Sequence, residues 1–347
     1  MYATNVNRSI NQHRRTTLLA TLAAVATILA GLAVTAFVGN DYRLNRETLL
    51  IPTSQGRLEG VLTRPASGAT RGLVVVIHGD GPVDATHDGL YLPWFEAAAD
   101  AGYATLSWSK RGVGASEGQW LHQSMRDRAA EVSEVVDWAA AQADIDTTQI
   151  VLWGASQAGW VLPDVAASRD DIDAVVAVGP AINWLRQGRY HLLAGLDDAD
   201  ATPSARAQAV ALSDRIRALI AADASFDQYL AESGDPEPMS EDRWRFAKLN
   251  ASSDATASLA TLAQADVPVL LMLGERDRNV DIDETAHTYR ALLDDRVRVE
   301  RFDATHPLAR PIMEDLPTVG VITATLWPRA LFAPGVLDTY RGFLEQH

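Results

Sequence analysis

Three side chains suited to acyl transfer occur along the chain in the order Ser156, Asp277, His306. A serine hydroxyl is too weakly acidic to attack a carbonyl unaided. An imidazole can take its proton and later return it to the leaving group. A carboxylate behind the imidazole fixes its tautomer and stabilises its charged form. Each of the three follows a predicted strand closely. In a parallel sheet those strand ends share one edge, so the three loops can converge. Taken singly, each has a plainer reading: His306 stands before Pro307 and could simply end a strand. Asp277 has rivals in Asp281 and Asp283, further from the strand end.

The serine has a distinctive setting. Residues 150–153 are an apolar run read as a short buried strand, and residues 157–167 read as a helix. Between them lie Gly154, Ala155 and Ser156. A sharp strand-to-helix turn with small flanks lifts the hydroxyl above the sheet. Ala158 stands where such turns usually carry glycine, and Gly159 follows; one methyl is tolerable there. A tetrahedral oxyanion needs two donors already aimed at it. The amide of Gln157 is the first. The second is expected from the loop after the strand at 73–77, with Asp80 first and Gly81 next. His78, in that loop, reads as a structural buttress. His87, His122, His191 and His287 have no evident partner.

These residues need a scaffold, and the rest of the chain supplies its pattern. Runs at 48–51 and 58–63 form a hairpin. Strand-like runs at 73–77, 104–108, 174–178, 267–273 and 297–302 alternate with helices near 91–101, 127–142 and 283–293. That rhythm implies right-handed crossovers and a mostly parallel sheet. Residues 180–262 break it: helices are predicted at 202–222, 226–232 and 241–248, with no convincing strand. This is read as a helical cap inserted into a sheet domain spanning 39–347. Its aromatics, Trp184, Tyr190, Tyr229, Trp244 and Phe246, suit either a substrate cleft or cap-to-core packing. The tail reads as a Pro-rich loop through Pro334 and a closing helix from Val336.

Composition narrows the function. The 347 residues are 47% hydrophobic, enough for a buried core, and include no cysteine. Disulfides, thiolate nucleophiles and cysteine zinc sites are excluded. Net charge is −15, and residues 1–38 hold Arg8, Arg14 and Arg15 but no acid, leaving −18 on the remainder. So acidic a surface repels phosphate backbones, and no nucleic-acid partner is expected. The uncharged run at 18–38 predicts a signal peptide ending near Ala36, or a membrane anchor. The arginine pair hints at twin-arginine export, although Thr17 stands where an aromatic is usual. The basic flank predicts a cytoplasmic N-terminus and a domain that is exported, periplasmic or extracellular, with membrane contact through residues 18–38. The alternative is a buried N-terminal helix, against which the lack of a polar face argues. Asp277, Asn279 and Asp281 resemble the start of a calcium loop, but Ile282 replaces the required glycine and Thr288 the bidentate glutamate. No metal is expected. The glycines at 110–118 form no phosphate-binding loop.

Over roughly residues 47–347 the chain resembles the α/β-hydrolase superfamily. The resemblance rests on His78 to Pro82, Arg111 to Ser116, Gly154 to Gly159, Gly274 to Asp277 and Asp303 to His306, which stand in the family's order. The elbow is similar to those of serine aminopeptidase-like and acyl-CoA thioesterase or bile-acid-CoA:amino-acid acyltransferase-like branches. The resemblance implies an eight-stranded sheet with a cap, no metal and no organic cofactor. It implies a Ser156–His306–Asp277 triad acting on a small acyl substrate. The expected reaction is hydrolysis of an ester or thioester. Peptide cleavage, acyl transfer and a catalytically silent binding module on the same fold are the alternatives.

Overall fold

Residues 73–77 are buried on both sides, and their side chains alternate between two apolar cores. Leu73, Val75 and Ile77 face one core, Val74 and Val76 the other. A period of two with both faces covered marks a strand inside a sheet coated by helices. The computed structural model describes the backbone from residue 2 to residue 347 and the side chains of Leu19 and of Thr21 onward. The side chains of Arg8, Arg14 and Arg15, which carry the charge argument for a cytoplasmic N-terminus, lie outside the described residues.

The chain opens with helix α1 (Tyr2–Gly39) and a hairpin of β1 (Leu44–Thr53) and β2 (Gly56–Pro65). Then come β3 (Leu73–Ile77), α2 (Leu92–Asp100), β4 (Ala104–Trp108), α3 (Met125–Ala140), β5 (Ile150–Ala155), α4 (Leu162–Ser168) and β6 (Ala174–Val178). Five helices follow: α5 (Trp184–Asp198), α6 (Pro203–Ala221), α7 (Phe226–Glu232), α8 (Glu241–Asn250) and α9 (Thr256–Leu262). The alternation resumes with β7 (Val269–Gly274), α10 (Ile282–Leu293) and β8 (Val297–Phe302). It closes with α11 (Ile312–Asp315), α12 (Pro317–Leu326) and α13 (Val336–Leu344).

The strands form one sheet in the order β1-β2-β4-β3-β5-β6-β7-β8. The β1–β2 and β2–β4 pairs are antiparallel, and every later pair is parallel. Helices α3, α4, α9 and α10 cover one face, and α2 and α13 the other. This is the expected α/β-hydrolase fold with an inserted helical cap. The ends of β3, β5, β7 and β8 therefore open onto a common edge.

The structure departs from expectation in three places. The helix expected over 157–167 is a 3-10 turn, Ser156–Trp160, followed by α4. Pro163 sits in the first turn of α4, where its missing N–H costs nothing, so the regular helix starts beside it. The insertion holds two further helices, α5 and α9. Helix α5 buries no residue and is interrupted by Gly188 and Gly195, which lower its helix propensity. The tail is not a plain loop: it contains α11 and α12, and Pro317 opens α12 as a first-turn residue.

Within α1, Thr21–Gly39 is the one span among the described residues long and apolar enough to cross a membrane. Its side chains, Ile28 and Phe37 among them, are exposed rather than packed on the domain, unlike those of a core helix.

Candidate active site

Strand β5 delivers Ser156 at φ +54°, a left-handed backbone that a serine adopts only when its surroundings force it. The forcing contacts are visible. A Cβ on Gly154 would lie 2.8 Å from the Ala158 Cβ and 3.0 Å from Leu162, so this flank tolerates not even a methyl. The Ala158 methyl fits, fully buried, because Gly154 has none. Gly159 is the tighter position: a Cβ there would meet Pro180 at 2.4 Å. The need for glycine has moved one residue along.

Asp277 and His306 leave β7 and β8 and meet. The Asp277 Oδ2 accepts from His306 Nδ1 at 2.7 Å, and its Oδ1 accepts the amides of Asn279 and Val280 at 2.7 and 2.8 Å. Three of the roughly four lone-pair sites of this buried carboxylate are thus occupied. At the end of β7 a Cβ on Gly274 would lie 2.3 Å from the Thr305 carbonyl, so glycine there lets the His306 loop pass. Ser156 and His306 line the same cleft. The rivals have other employment: Asp281 caps α10 through the amides of Asp283 and Glu284, and Asp283 pairs with Arg301 on the surface.

The loop after β3 is held from below by two buried cations. Arg128 donates to the His78 carbonyl at 2.5 Å and to Gln157 Oε1 at 2.8 Å. Lys110 donates to the Gly79 carbonyl at 3.0 Å, with its ammonium 4.2 Å from the centre of the Trp120 ring. Two successive carbonyls are thereby drawn inward. The amide of Asp80 makes no hydrogen bond among the described residues. Gly79 lacks a Cβ that would stand 3.3 Å from that of Ser156, so loop and elbow are in close approach. Burial lowers the Arg128 guanidinium to about 10, against the pull of Glu131 and Asp80. Burial, and then Arg128, push Lys110 well below the usual ammonium range. His78 gives its Nε2 proton to the Trp108 carbonyl at 2.9 Å; burial, with Lys110 and Arg128 nearby, lowers it to about 3. It is a neutral buttress.

The Asp80 carboxylate faces the other way. It accepts from Gln157 Nε2 at 3.0 Å and from both Arg243 Nη atoms at 3.0 and 2.8 Å. Burial pushes its carboxyl up, but Arg243 and Lys110 outweigh this and hold it below the usual range. Arg243 lies on α8, so the pair ties cap to core. Helix α5 makes a second tie: the Tyr190 hydroxyl donates to the Asp277 carbonyl at 2.9 Å, and Gln187 Nε2 to the Asn279 carbonyl at 2.9 Å.

Between cap and core is a cleft of about 610 Å³ with Ser156 and His306 in its wall. Trp160, Trp184, Met239 and Val178 give it an apolar side, and Arg243, Gln187 and His191 a polar one. Of the cap aromatics, Trp184 lines the cleft. Tyr229 and Trp244 are buried and stacked 4.3 Å apart, and Phe246 packs on Trp120. His87 also lines the cleft, whereas His122 pairs with Asp242 outside it. Among the described residues no cluster of metal-binding side chains occurs.

Sequence reasoning missed Arg128, Lys110 and Arg243. Arg128 carried a signal: it falls among Met125, Ala129, Val132 and Val135 on the buried stripe of α3, where an arginine is out of place. Arg243 carried none, since its meaning depends on where the cap sits.

Residues 33–306 match the model of the X-Pro dipeptidyl-peptidase (S15) family. The chain belongs to that family. S15 membership and the fold together place it among the α/β-hydrolases, in the S15/esterase type. Similar solved structures include a Pyrococcus furiosus esterase, 17% identical over 82% of this chain and 92% of that one, with a TM-score of 0.52. Est1E of Butyrivibrio proteoclasticus, solved with ferulic acid, is 15% identical over 86% and 96%, with a TM-score of 0.53. A dienelactone hydrolase of Anabaena variabilis is 14% identical over 88% and 97%, with a TM-score of 0.50. A curated Escherichia coli relative, an uncharacterized 31.7 kDa protein of the traX-finO intergenic region, is 28% identical over 114 residues. That match spans 33% of this S15 chain and 38% of the relative's own length.

Proposed function

We propose that the protein hydrolyses carboxylic esters of small acyl groups, or their thioesters, through an acyl-Ser156 intermediate. His306 takes the hydroxyl proton as Ser156 attacks the carbonyl carbon. Asp277 keeps the imidazole oriented and stabilises its charged form. The oxyanion is received by the amides of Gln157 and Asp80. The Gln157 amide heads a helical turn, where backbone donors lack an acceptor within the helix. His306 then protonates the leaving alcohol or thiol. A water, deprotonated by the same imidazole, releases the acid and restores the serine. Arg128 and Lys110 act as positioning residues behind the two amides.

The observation that favours an ester over an Xaa-Pro dipeptide is the state of Asp80. A dipeptidyl peptidase must hold the substrate's free ammonium close to the cleaved bond, and an ammonium in a closed site needs an anion. Asp80 is the acid among the described cleft-lining residues, and Arg243 and Gln157 already occupy it. A neutral acyl ester makes no such demand. Est1E, of the same fold, was solved with a small aromatic acid bound. The exposed apolar helix Thr21–Gly39 supports placing the domain outside the cytoplasm as an exported or anchored enzyme.

The test pairs a fluorophosphonate probe with substrate competition. Wild-type protein should gain one adduct, absent from Ser156→Ala, and should hydrolyse p-nitrophenyl acyl esters. Ser156→Ala should lose roughly three or more orders of magnitude in kcat while keeping its melting temperature. Faster turnover of Xaa-Pro anilides than of any acyl ester would replace the ester reading with the peptidase one.

A further inference from the structure

Helix α12 is uncharged and apolar, and it buries no residue. Val321 is 66% exposed and Ile322 52%, with Leu316 and Trp327 exposed at its two ends. An aqueous surface rarely carries so continuous an apolar strip unless something covers it. Its location says what does. The C-terminal end of α12 meets the C-terminal end of α1: the Asn40 side chain donates to the Thr325 carbonyl at 3.0 Å. A Cβ on Gly39 would run into the Leu326 carbonyl.

The joint is fixed by Arg329, which follows α12. It donates to the Gly39 carbonyl at 2.6 Å and the Asp41 carbonyl at 2.8 Å. It also pairs with Glu96 of the core at 2.6 Å and covers the Tyr42 ring at 4.2 Å. The exit of α1 is thereby bolted to the domain, and α12 is held beside it. At 1.5 Å per residue α12 is about 15 Å long, half a bilayer core, too short to cross. Tryptophan at its end suits the boundary between headgroups and acyl chains.

We infer that α12 is a second membrane contact: it lies in the interface of the leaflet from which α1 emerges, with Val321 and Ile322 against lipid. Anchor and interfacial helix together fix the orientation of the domain on the bilayer, where α1 alone would leave it free to swivel. The inference rests on α1 being retained and is independent of the hydrolase reading.

The absence of cysteine makes the test clean. Single variants Val321→Cys, Ile28→Cys in α1 and Leu230→Cys on cap helix α7 are labelled with an environment-sensitive nitrobenzoxadiazole dye. The full chain is reconstituted in vesicles of phosphatidylethanolamine and phosphatidylglycerol. The expected result is quenching of the dye at 28 and 321 by nitroxide-bearing lipid and at 230 by aqueous iodide. Quenching at 321 by iodide, as at 230, overturns the proposal. Protection at 321 from both quenchers overturns it too, because protein then covers the helix. If the dye at 28 escapes the lipid quencher, the anchor itself fails and the proposal falls with it.

Discussion

Arg128 is a buried cation that spends its hydrogen bonds on a carbonyl and an amide oxygen rather than on a carboxylate. It grips both segments that are proposed to receive the oxyanion, the β3 loop through His78 and the elbow through Gln157. A lysine keeps the charge but cannot form the same two-pronged contact. Arg128→Lys should therefore lower kcat about 10- to 100-fold with little change in KM, below the loss of a whole oxyanion donor. Stopped-flow acylation and steady-state kinetics check it. An equal change in KM and none in kcat would assign Arg128 to substrate binding instead. The elbow makes a second residue-scale prediction. Gly159→Ala, pressed against Pro180, should cost about 1–3 kcal/mol of stability by urea titration, whereas Ala158→Gly should cost no more than about 1 kcal/mol. The proposed roles of Ser156, Asp277 and His306 came from sequence because each follows an apolar strand in the order such chemistry uses, and the fold brings Ser156 and His306 to one cleft with Asp277 bonded to His306. The cations were not, because a buried arginine acquires its role only from the groups the fold brings to it.

At the scale of elements, sheet and cap differ in kind. Strands β3 to β7 are buried on both faces, and that is why their apolar runs could be read in sequence. Helices α5 and α6 bury no residue, and the small cluster of Ala224, Tyr229 and Trp244 is separate from the main cores. Helices α8 and α9 anchor the cap by burying Phe246, Leu259 and Leu262 in the main core, whereas α5 to α7 add no buried side chain to it and α5 reaches it through polar ties such as Tyr190 to the Asp277 carbonyl. Few buried apolar contacts mean low local stability. Amide exchange followed by mass spectrometry should show α5–α7 exchanging at least about tenfold faster than β3, β5 and β7, and slowing when Ser156 is phosphonylated by a bulky fluorophosphonate. Exchange in the cap as slow as in the strands would make it a rigid wall. Helices α5 and α12 escaped the sequence for another reason: Gly188 and Gly195 interrupt the first, and Gly320 with the β-branched Val319, Val321, Ile322 and Thr323 lowers the helix propensity of the second.

At the scale of the molecule, acid is the expected weakness. The neutral ring of His78 has its Nδ1 buried without a partner, with Lys110 and Arg128 nearby. Unfolded, this ring takes a proton near 6.5; folded, only near 3. Between those values the unfolded chain binds the extra proton, so stability falls as pH drops from about 6.5 toward 3. His87, lowered chiefly by burial, adds in the same direction. Melting temperature should decline steadily from pH 7 to pH 5, before most surface carboxylates titrate. His78→Gln should flatten that slope even if it lowers the starting value.

The Asp80–Arg243 contact joins positions 163 residues apart, one in the sheet domain and one in the insertion. A lineage that trades its cap for another inherits an acid without its cation in the wall of the Ser156 cleft unless the newcomer brings a cation to the same spot or position 80 mutates as well. Caps are often pictured as interchangeable modules grafted onto a constant chassis. In this chain the graft and the chassis share a bond, and descent should change its two ends in step.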